Sequence, residues 1–247
     1  MAAMAPTTRD PRPLVVAHGL ARSVRGVQAL DGIDLEVHGG EVVALLGGNG
    51  AGKTSLLELL AGVRNPSGGR VERESSARAR VGWIPQSPAL YRQLTCLENL
   101  VFFARMAGVP DPAERASRLL HNADLDDVRD RRADALSTGM RQRLNIAVGL
   151  VDTPRLVLMD EPSATLSPDQ QRRMWEWVRP AADEAGAIVF ATQSLREARL
   201  YATRVVVLAA GRIVYDGSAA GIIEAFGAAG DTSPEDDALV RLLEAHR

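Results

Sequence analysis

The run Gly47-Gly48-Asn49-Gly50-Ala51-Gly52-Lys53-Thr54 constrains this chain more than any other feature. It satisfies G-x-x-x-x-G-K-[ST] and lies between an apolar run, Glu41–Leu46, and Lys53–Ala61, which carries Leu56, Leu57, Leu59 and Leu60. The first reads as a buried strand, the second as a helix stopped at Gly62. Between a strand and a helix, glycines let backbone N–H groups turn toward phosphate oxygens, and the helix aims its positive end at the same anion. Lys53 is the only lysine among 29 strongly basic residues, the rest being arginine. A compact ammonium on a thin stem fits inside a wrapped loop where a planar guanidinium does not. The loop, with Ser55 following it, is therefore expected to bind a nucleotide. Lys53 would neutralise the β and γ phosphates and the Thr54 hydroxyl would ligate Mg²⁺.

The rest of the chain alternates strands and helices, which implies an α/β sandwich. Strands are expected at Leu14–Leu20, Ile33–Val37, Arg80–Ile84, Leu156–Met159 and Ala187–Thr192, with Arg204–Ala209 and Arg212–Tyr215 pairing across Ala210-Gly211. Pro66-Ser67-Gly68-Gly69 reads as a turn. From Pro85 to about Val151 the pattern is helical. Thr95 and Glu98 form a capping box for a helix through Met106, Pro112–Ala123 opens on proline, and Ser137 precedes a third helix. Ser167 with Gln170 caps a long helix, and Ser194 with Glu197 the next. Residues 1–13 read as a disordered tail and 218–247 as an acidic extension, helical at both ends, with Asp231–Asp237 a solvated linker. Of the two tryptophans on the long helix, Trp175 and Trp177, one is expected in the core.

Charge is nearly balanced, 29 basic against 31 acidic residues, so no nucleic-acid partner is expected. Cys96 is alone and reads as a small buried side chain; the four histidines have no metal-ligand spacing. No apolar run reaches the ~18 residues of a membrane span, and residues 1–13 have no apolar signal core. The expected location is the cytosol, with any membrane association through a partner.

Leu156-Val157-Leu158-Met159-Asp160-Glu161 adds a second chemical element: an apolar strand delivering two carboxylates at its C-terminal end, where open α/β sheets place ligands. Asp160 would hold Mg²⁺ and Glu161 would polarise the attacking water as general base.

Leu136-Ser137-Thr138-Gly139-Met140 resembles the LSGGQ signature of ATP-binding cassette (ABC) proteins. Gln86 matches that family's Q-loop, Ser163–Pro168 its D-loop, and Thr192-Gln193 the place of its switch histidine. The resemblance covers residues 14–217, five motifs in order. Pro85–Tyr91, Leu94-Thr95, Glu98-Asn99-Leu100 and Phe102-Phe103-Ala104 look like the ABC-2-type exporters, and Met140 fits that branch.

The resemblance implies a P-loop NTPase sandwich of the ABC ATPase type, with a helical subdomain inserted at about 87–151 and a small antiparallel β portion. It implies ATP and Mg²⁺ as cofactors, with Gln86 joining Thr54 and Asp160 around the metal. It also implies a head-to-tail dimer, homomeric or heteromeric, in which Ser137 and Gly139 of one subunit close over the nucleotide of the other. A separate membrane-spanning permease would dock near Gln86, placing the chain on the cytoplasmic face of the membrane as the motor of an exporter of drug-like or lipid-like molecules. A ribosome- or DNA-acting ABC protein fits less well, since those carry two cassettes or long coiled-coil insertions.

Four positions depart from the pattern. Val24 stands where an aromatic residue stacks on adenine, Thr138 replaces a signature glycine, Ser167 the D-loop aspartate and Gln193 the switch histidine. Glutamine can donate a hydrogen bond but cannot become cationic, and losing a pre-organised contact in such a site costs on the order of 10²–10³ in rate. Two readings follow: an ATP-hydrolysing transport subunit, or a degenerate ATP-binding subunit that gates a heteromeric complex.

Overall fold

A computed structural model of the chain describes residues 12–24, 26–74, 80–183, 186–227 and 234–245. Its main sheet has six strands in the spatial order β5-β6-β7-β3-β8-β9. They are β3 (Val42–Leu46), β5 (Val81–Ile84), β6 (Leu156–Asp160), β7 (Ala187–Thr192), β8 (Arg204–Ala209) and β9 (Arg212–Gly217). All neighbours are parallel except β8 and β9, joined by the tight turn Ala210-Gly211. Both turn residues have positive φ, 47° and 78°, the geometry whose twist matches a two-residue hairpin. A second, antiparallel sheet has the order β2-β1-β4, from β1 (Pro13–Val24), β2 (Val27–His38) and β4 (Gly68–Arg73).

Strands buried on both faces feed two cores by simple alternation. In β3, Val43 and Leu45 face the antiparallel sheet, whereas Val42, Ala44 and Leu46 face the helical layer. α1 (Lys53–Ala61) lies between the two sheets and buries Leu56, Leu57, Leu59 and Leu60. Each fully buried leucine contributes roughly 1.5–3 kcal/mol, so packing anchors this helix far more firmly than its intrinsic propensity does. Gly62, with φ of 75°, ends it by donating its N–H to the Leu59 carbonyl.

On the opposite face lie α2 (Cys96–Met106), α3 (Pro112–Asn122) and α4 (Thr138–Gly149), which follow β5. They are joined there by α5 (Pro168–Val178), α6 (Pro180–Asp183), α7 (Leu195–Tyr201), α8 (Ala219–Phe226) and α9 (Pro234–Glu244). The capping boxes at Thr95/Glu98 and Ser167/Gln170 are both formed. Cys96 is buried, and burial pushes its thiol up to about 11. Trp175 is in the core and Trp177 half-buried.

Five expectations need adjustment. The first two strands run well beyond 14–20 and 33–37, and Pro13 already belongs to β1. Gly68-Gly69 is not a turn but the start of β4, which among the described strands pairs with β1 alone. The long helix breaks at Pro180, whose ring cannot continue it and whose nitrogen has no hydrogen to donate. Residues 234–237 begin α9 rather than a linker, while 1–11 and 231–233 lie outside the described residues. At α7 the capping box is half-made: Ser194 Oγ accepts from the Glu197 N–H, but the Glu197 carboxylate turns inward.

Candidate functional site

Parallel pairing brings the chemistry together. Leu46 of β3 stands beside Thr192 of β7, and Asp160 of β6 beside Ala191. The loops leaving β3, β6 and β7 therefore emerge side by side at one edge, carrying the glycine loop, Glu161 and Gln193.

Two loop glycines are required by their neighbours. A Cβ on Gly47 (φ 156°) would meet the Leu208 carbonyl at 2.5 Å, and one on Gly52 (φ 107°) the Ala29 carbonyl at 2.6 Å. Gly48 and Gly50 face open space, so no described residue crowds them on the ligand side. The hairpin turn braces the loop from behind, since the Gly211 N–H donates to the Ala51 carbonyl at 3.2 Å. Leu208, Gly211 and Ala29 had no local signature; only the close approach of distant backbones makes them part of the site.

Lys53 is buried, and its ammonium donates to the carbonyls of Gly47 (2.8 Å) and Gly48 (3.1 Å), with Glu161 Oε1 at 4.0 Å. Burial lowers its pKa, opposed by the negative charges of Glu161 and Asp160. Asp160 is shifted toward neutrality as well: burial raises its pKa, against the Thr54 hydrogen bond and Lys53, which lower it. Both partners thus give up charge preference, because desolvation outweighs their mutual attraction.

Thr54 Oγ1 donates to Asp160 Oδ2 at 2.8 Å. This hydroxyl and carboxylate are adjacent hard oxygen donors, a set that suits Mg²⁺ completed by phosphate and water. Gln86 is exposed at the end of β5 and bonds neither of them. It is framed by Asn145 of α4, which donates to the Pro85 carbonyl (2.9 Å) and accepts from the Ala89 N–H (3.2 Å). Sequence reading missed Asn145, one of three polar residues, with Gln142 and Arg143, that α4 buries.

Asp160 yields a stability prediction. A carboxyl whose pKa is raised on folding contributes stability below its unfolded value, near 4, and loses it as pH rises through the folded value. At pH 7 the buried anion therefore costs the ligand-free protein stability. Asp160→Asn, still able to accept from Thr54, should raise the thermal midpoint at pH 7, with the gain fading as the pH falls through the raised folded value and gone below about 4. Calorimetric melts across that range check it; an unchanged midpoint at pH 7 contradicts it.

Glu161 has φ of 48°, in the left-handed region, and its N–H donates to the Ala191 carbonyl at 3.1 Å. Strain of this kind collects at functional sites. Gln193 Nε2 donates to Glu161 Oε1 at 2.9 Å and to Asn49 Oδ1 at 3.2 Å. An ionised carboxylate only accepts, so the amide nitrogen must face Glu161. Gln193 thus ties the proposed base to the glycine loop, and its carbonyl oxygen is left to accept from a water.

The pattern of ABC transporters matches residues 30–164, more than half of the chain. The chain belongs to the ABC transporter family. Relatives of this ABC protein include the daunorubicin/doxorubicin resistance ATP-binding protein DrrA of Streptomyces peucetius, 35% identical over 85% of this chain and 66% of that one. The autoinducer 2 import ATP-binding protein LsrA of Enterobacter sp. (strain 638) is 35% identical over 83% and 43%. The Nod factor export ATP-binding protein I of Burkholderia pseudomallei (strain 1710b) is 36% identical over 79% and 68%. The chain thus spans about two thirds or less of their lengths. In fold it matches the ATP-binding cassette MJ0796, in a dimeric post-hydrolysis structure bound to ADP and Pi, with a TM-score of 0.76, 22% identity and coverage of 83% and 98%.

Within this ABC chain, Ser137 and Gly139 are not joined to the phosphate loop. Ser137 caps α4 by accepting from the Met140 N–H at 3.3 Å, which leaves its own hydrogen to donate. A Cβ on Gly139 would find only ordinary contacts, at 3.5 Å and beyond, with Gln170, Thr165 and Leu166. Thr138 Oγ1 accepts from Arg141 at 3.2 Å. Val24 is 40% exposed at the end of β1.

Proposed function

We propose that the chain is the ATP-hydrolysing subunit of a membrane transporter, working with a separate permease on the cytoplasmic face of a membrane. Residues 14–217 form the ATPase unit, with the helical part at about 87–151 inserted and 218–247 as a C-terminal extension. The single observation that carries hydrolysis is the Gln193–Glu161 hydrogen bond at 2.9 Å, which gives a base in place beside the phosphate loop. Gly47–Ser55 cradle the phosphates, Lys53 neutralises them, and Thr54, Asp160 and Gln86 are the candidates to hold Mg²⁺. When bound, the metal supplies charge neutralisation at the phosphates. Glu161 takes the proton of the attacking water and Gln193 orients that water through its carbonyl.

Among the described residues no helix is long and apolar enough to cross a membrane, in keeping with a separate permease. Dimerisation is supported by the exposed start of α4: Ser137 and Thr138 are exposed and no described residue crowds Gly139, which leaves this segment free to face the nucleotide of a second subunit. Export is supported by the drug-resistance and Nod factor export relatives, and by the likeness at 85–104 to ABC-2-type exporters. The import relative stands against it. Drug-like or lipid-like cargo would be met by the permease.

Val24, Thr138 and Ser167 favour the second reading, an ATP-binding subunit that gates a heteromeric complex with little turnover of its own. Gln193→His separates the two. If glutamine serves in place, the wild-type chain turns over ATP and the variant changes the single-turnover rate by less than about threefold. If the site is degenerate, the variant gains on the order of 10²-fold. Co-purification of a membrane subunit tests the permease; wild-type protein that never hydrolyses ATP, alone or with that subunit, rejects the leading reading.

A further inference from the structure

Glu197 is 4% exposed, although a glutamate at the third position of a helix has a cheaper place at the surface, closing its capping box. A buried carboxylate is costly unless its oxygens are hydrogen-bonded. Here both are: Oε2 accepts from Thr192 Oγ1 at 2.6 Å and Oε1 from Trp175 Nε1 at 3.3 Å. Thr192 and Ser194 are the two chain neighbours of Gln193. Thr192 Oγ1 also accepts the Ser194 N–H at 3.1 Å, and Ser194 Oγ accepts the Glu197 N–H at 3.1 Å. Both flanks of Gln193 are therefore fastened to one buried residue.

The far end of that fastening is rigid. Trp175 is 2% exposed, stacked on Tyr201 (4.8 Å between centroids, 14° between planes) and set edge-on to Phe190 at 4.7 Å. It belongs to α5, the helix that follows the loop carrying Glu161. The Trp175–Glu197 bond thus joins the element after the base to the element after Gln193.

We propose that Glu197 is the positioning residue that holds Gln193 against Glu161, by clamping both neighbours of Gln193 and tying them to Trp175. The proposal rests on the hydrolytic reading above and adds a residue that never touches nucleotide. A packing role alone would make loss of Glu197 equally harmful whatever stands at 193. A positioning role makes the loss matter only while Gln193 is present to be positioned, which a double-mutant cycle measures directly.

The experiment uses full-length protein and saturating Mg-ATP, with affinity measured separately by calorimetry. Glu197→Ala should slow single-turnover hydrolysis about tenfold while ATP affinity stays within about twofold. Added to Gln193→Ala, it should cost less than about twofold more. Glu197→Gln keeps one acceptor oxygen and should recover most of the rate. Should Glu197→Ala not fold, Trp175→Phe, which removes one donor and keeps the ring stack, must slow hydrolysis severalfold with Gln193 and leave it unchanged without. Equal losses in both backgrounds, or rate and affinity falling together, overturn the positioning role while the ATPase reading stands. Wild-type protein that binds no Mg-ATP overturns both.

Discussion

Glu161→Gln should reduce single-turnover ATP hydrolysis by about 10²–10⁴-fold, the usual worth of a positioned general base, and leave Mg-ATP affinity within about threefold. The two effects separate because the substitution changes proton affinity and little else. Glutamine keeps an oxygen where Oε1 now accepts from Gln193 at 2.9 Å. It has the same length, and it carries no greater penalty at the left-handed φ of 48°. The ammonium of Lys53 would lose a carboxylate 4.0 Å away, which removes charge that competes with phosphate and so does not weaken binding. ATP then holds the closed state without being consumed, and a dimer should accumulate in size-exclusion chromatography. A variant that hydrolyses at the wild-type rate removes Glu161 from the chemistry. One that loses ATP affinity in proportion to rate shows that the carboxylate shapes the loop instead.

The parts of this fold that were legible in the sequence are those whose physics is local. α1 begins and ends as its leucines and Gly62 dictate, and the boxes at Thr95/Glu98 and Ser167/Gln170 form from side chains three residues apart. β3, β6 and β7 show as short, continuous apolar runs because both faces are buried. β4 was invisible for the opposite reason. Gly68-Gly69-Arg70-Val71-Glu72-Arg73 offers one apolar side chain, half-buried, and exists as a strand only because β1 presents an edge to it. The outer halves of β1 and β2 hid similarly, since shifts in their pairing register break the alternation that would have marked them.

At the site, loop and carboxylate positions could be read, while the contacts between them could not. Nothing in Ser194-Leu195-Arg196-Glu197 distinguishes an outward capping carboxylate from one folded inward onto Trp175. That choice is made by β7 placing Thr192 beneath it and by α5 supplying an indole. The departure at Gln193 looked like a lost contact when judged against a histidine. In place, its two amide hydrogens bridge Asn49 and Glu161, which no pairwise comparison of residue types would show.

Lys53 carries the other large expectation. Lys53→Ala should weaken Mg-ATP binding on the order of 10³-fold or more, beyond what one charge-assisted hydrogen bond of ~1.5–3 kcal/mol would give. The excess arises because the ammonium also organises its own binding site. It donates to the carbonyls of Gly47 and Gly48, and without it those carbonyls lose their partner and the loop its fixed curvature. Burial lowers its pKa, so the ammonium is held at a cost that an arriving polyphosphate offsets. Lys53→Arg should fail nearly as completely. The ammonium sits between two backbone carbonyls of a turn braced by Leu208 and Ala29, whose close approach leaves no room even for a Cβ on Gly47 or Gly52. A guanidinium is wider, planar and unable to direct its donors inward from a single point. That is the physical reason for one lysine in a chain that otherwise uses arginine for every strong positive charge. Calorimetry of the wild type and both variants with Mg-ATP decides the matter. An arginine variant that binds as tightly as lysine would show that charge alone suffices and that the loop is roomier than its carbonyl spacing indicates. A wild type without magnesium-dependent heat would remove nucleotide binding, and with it the hydrolytic roles of Glu161 and Gln193.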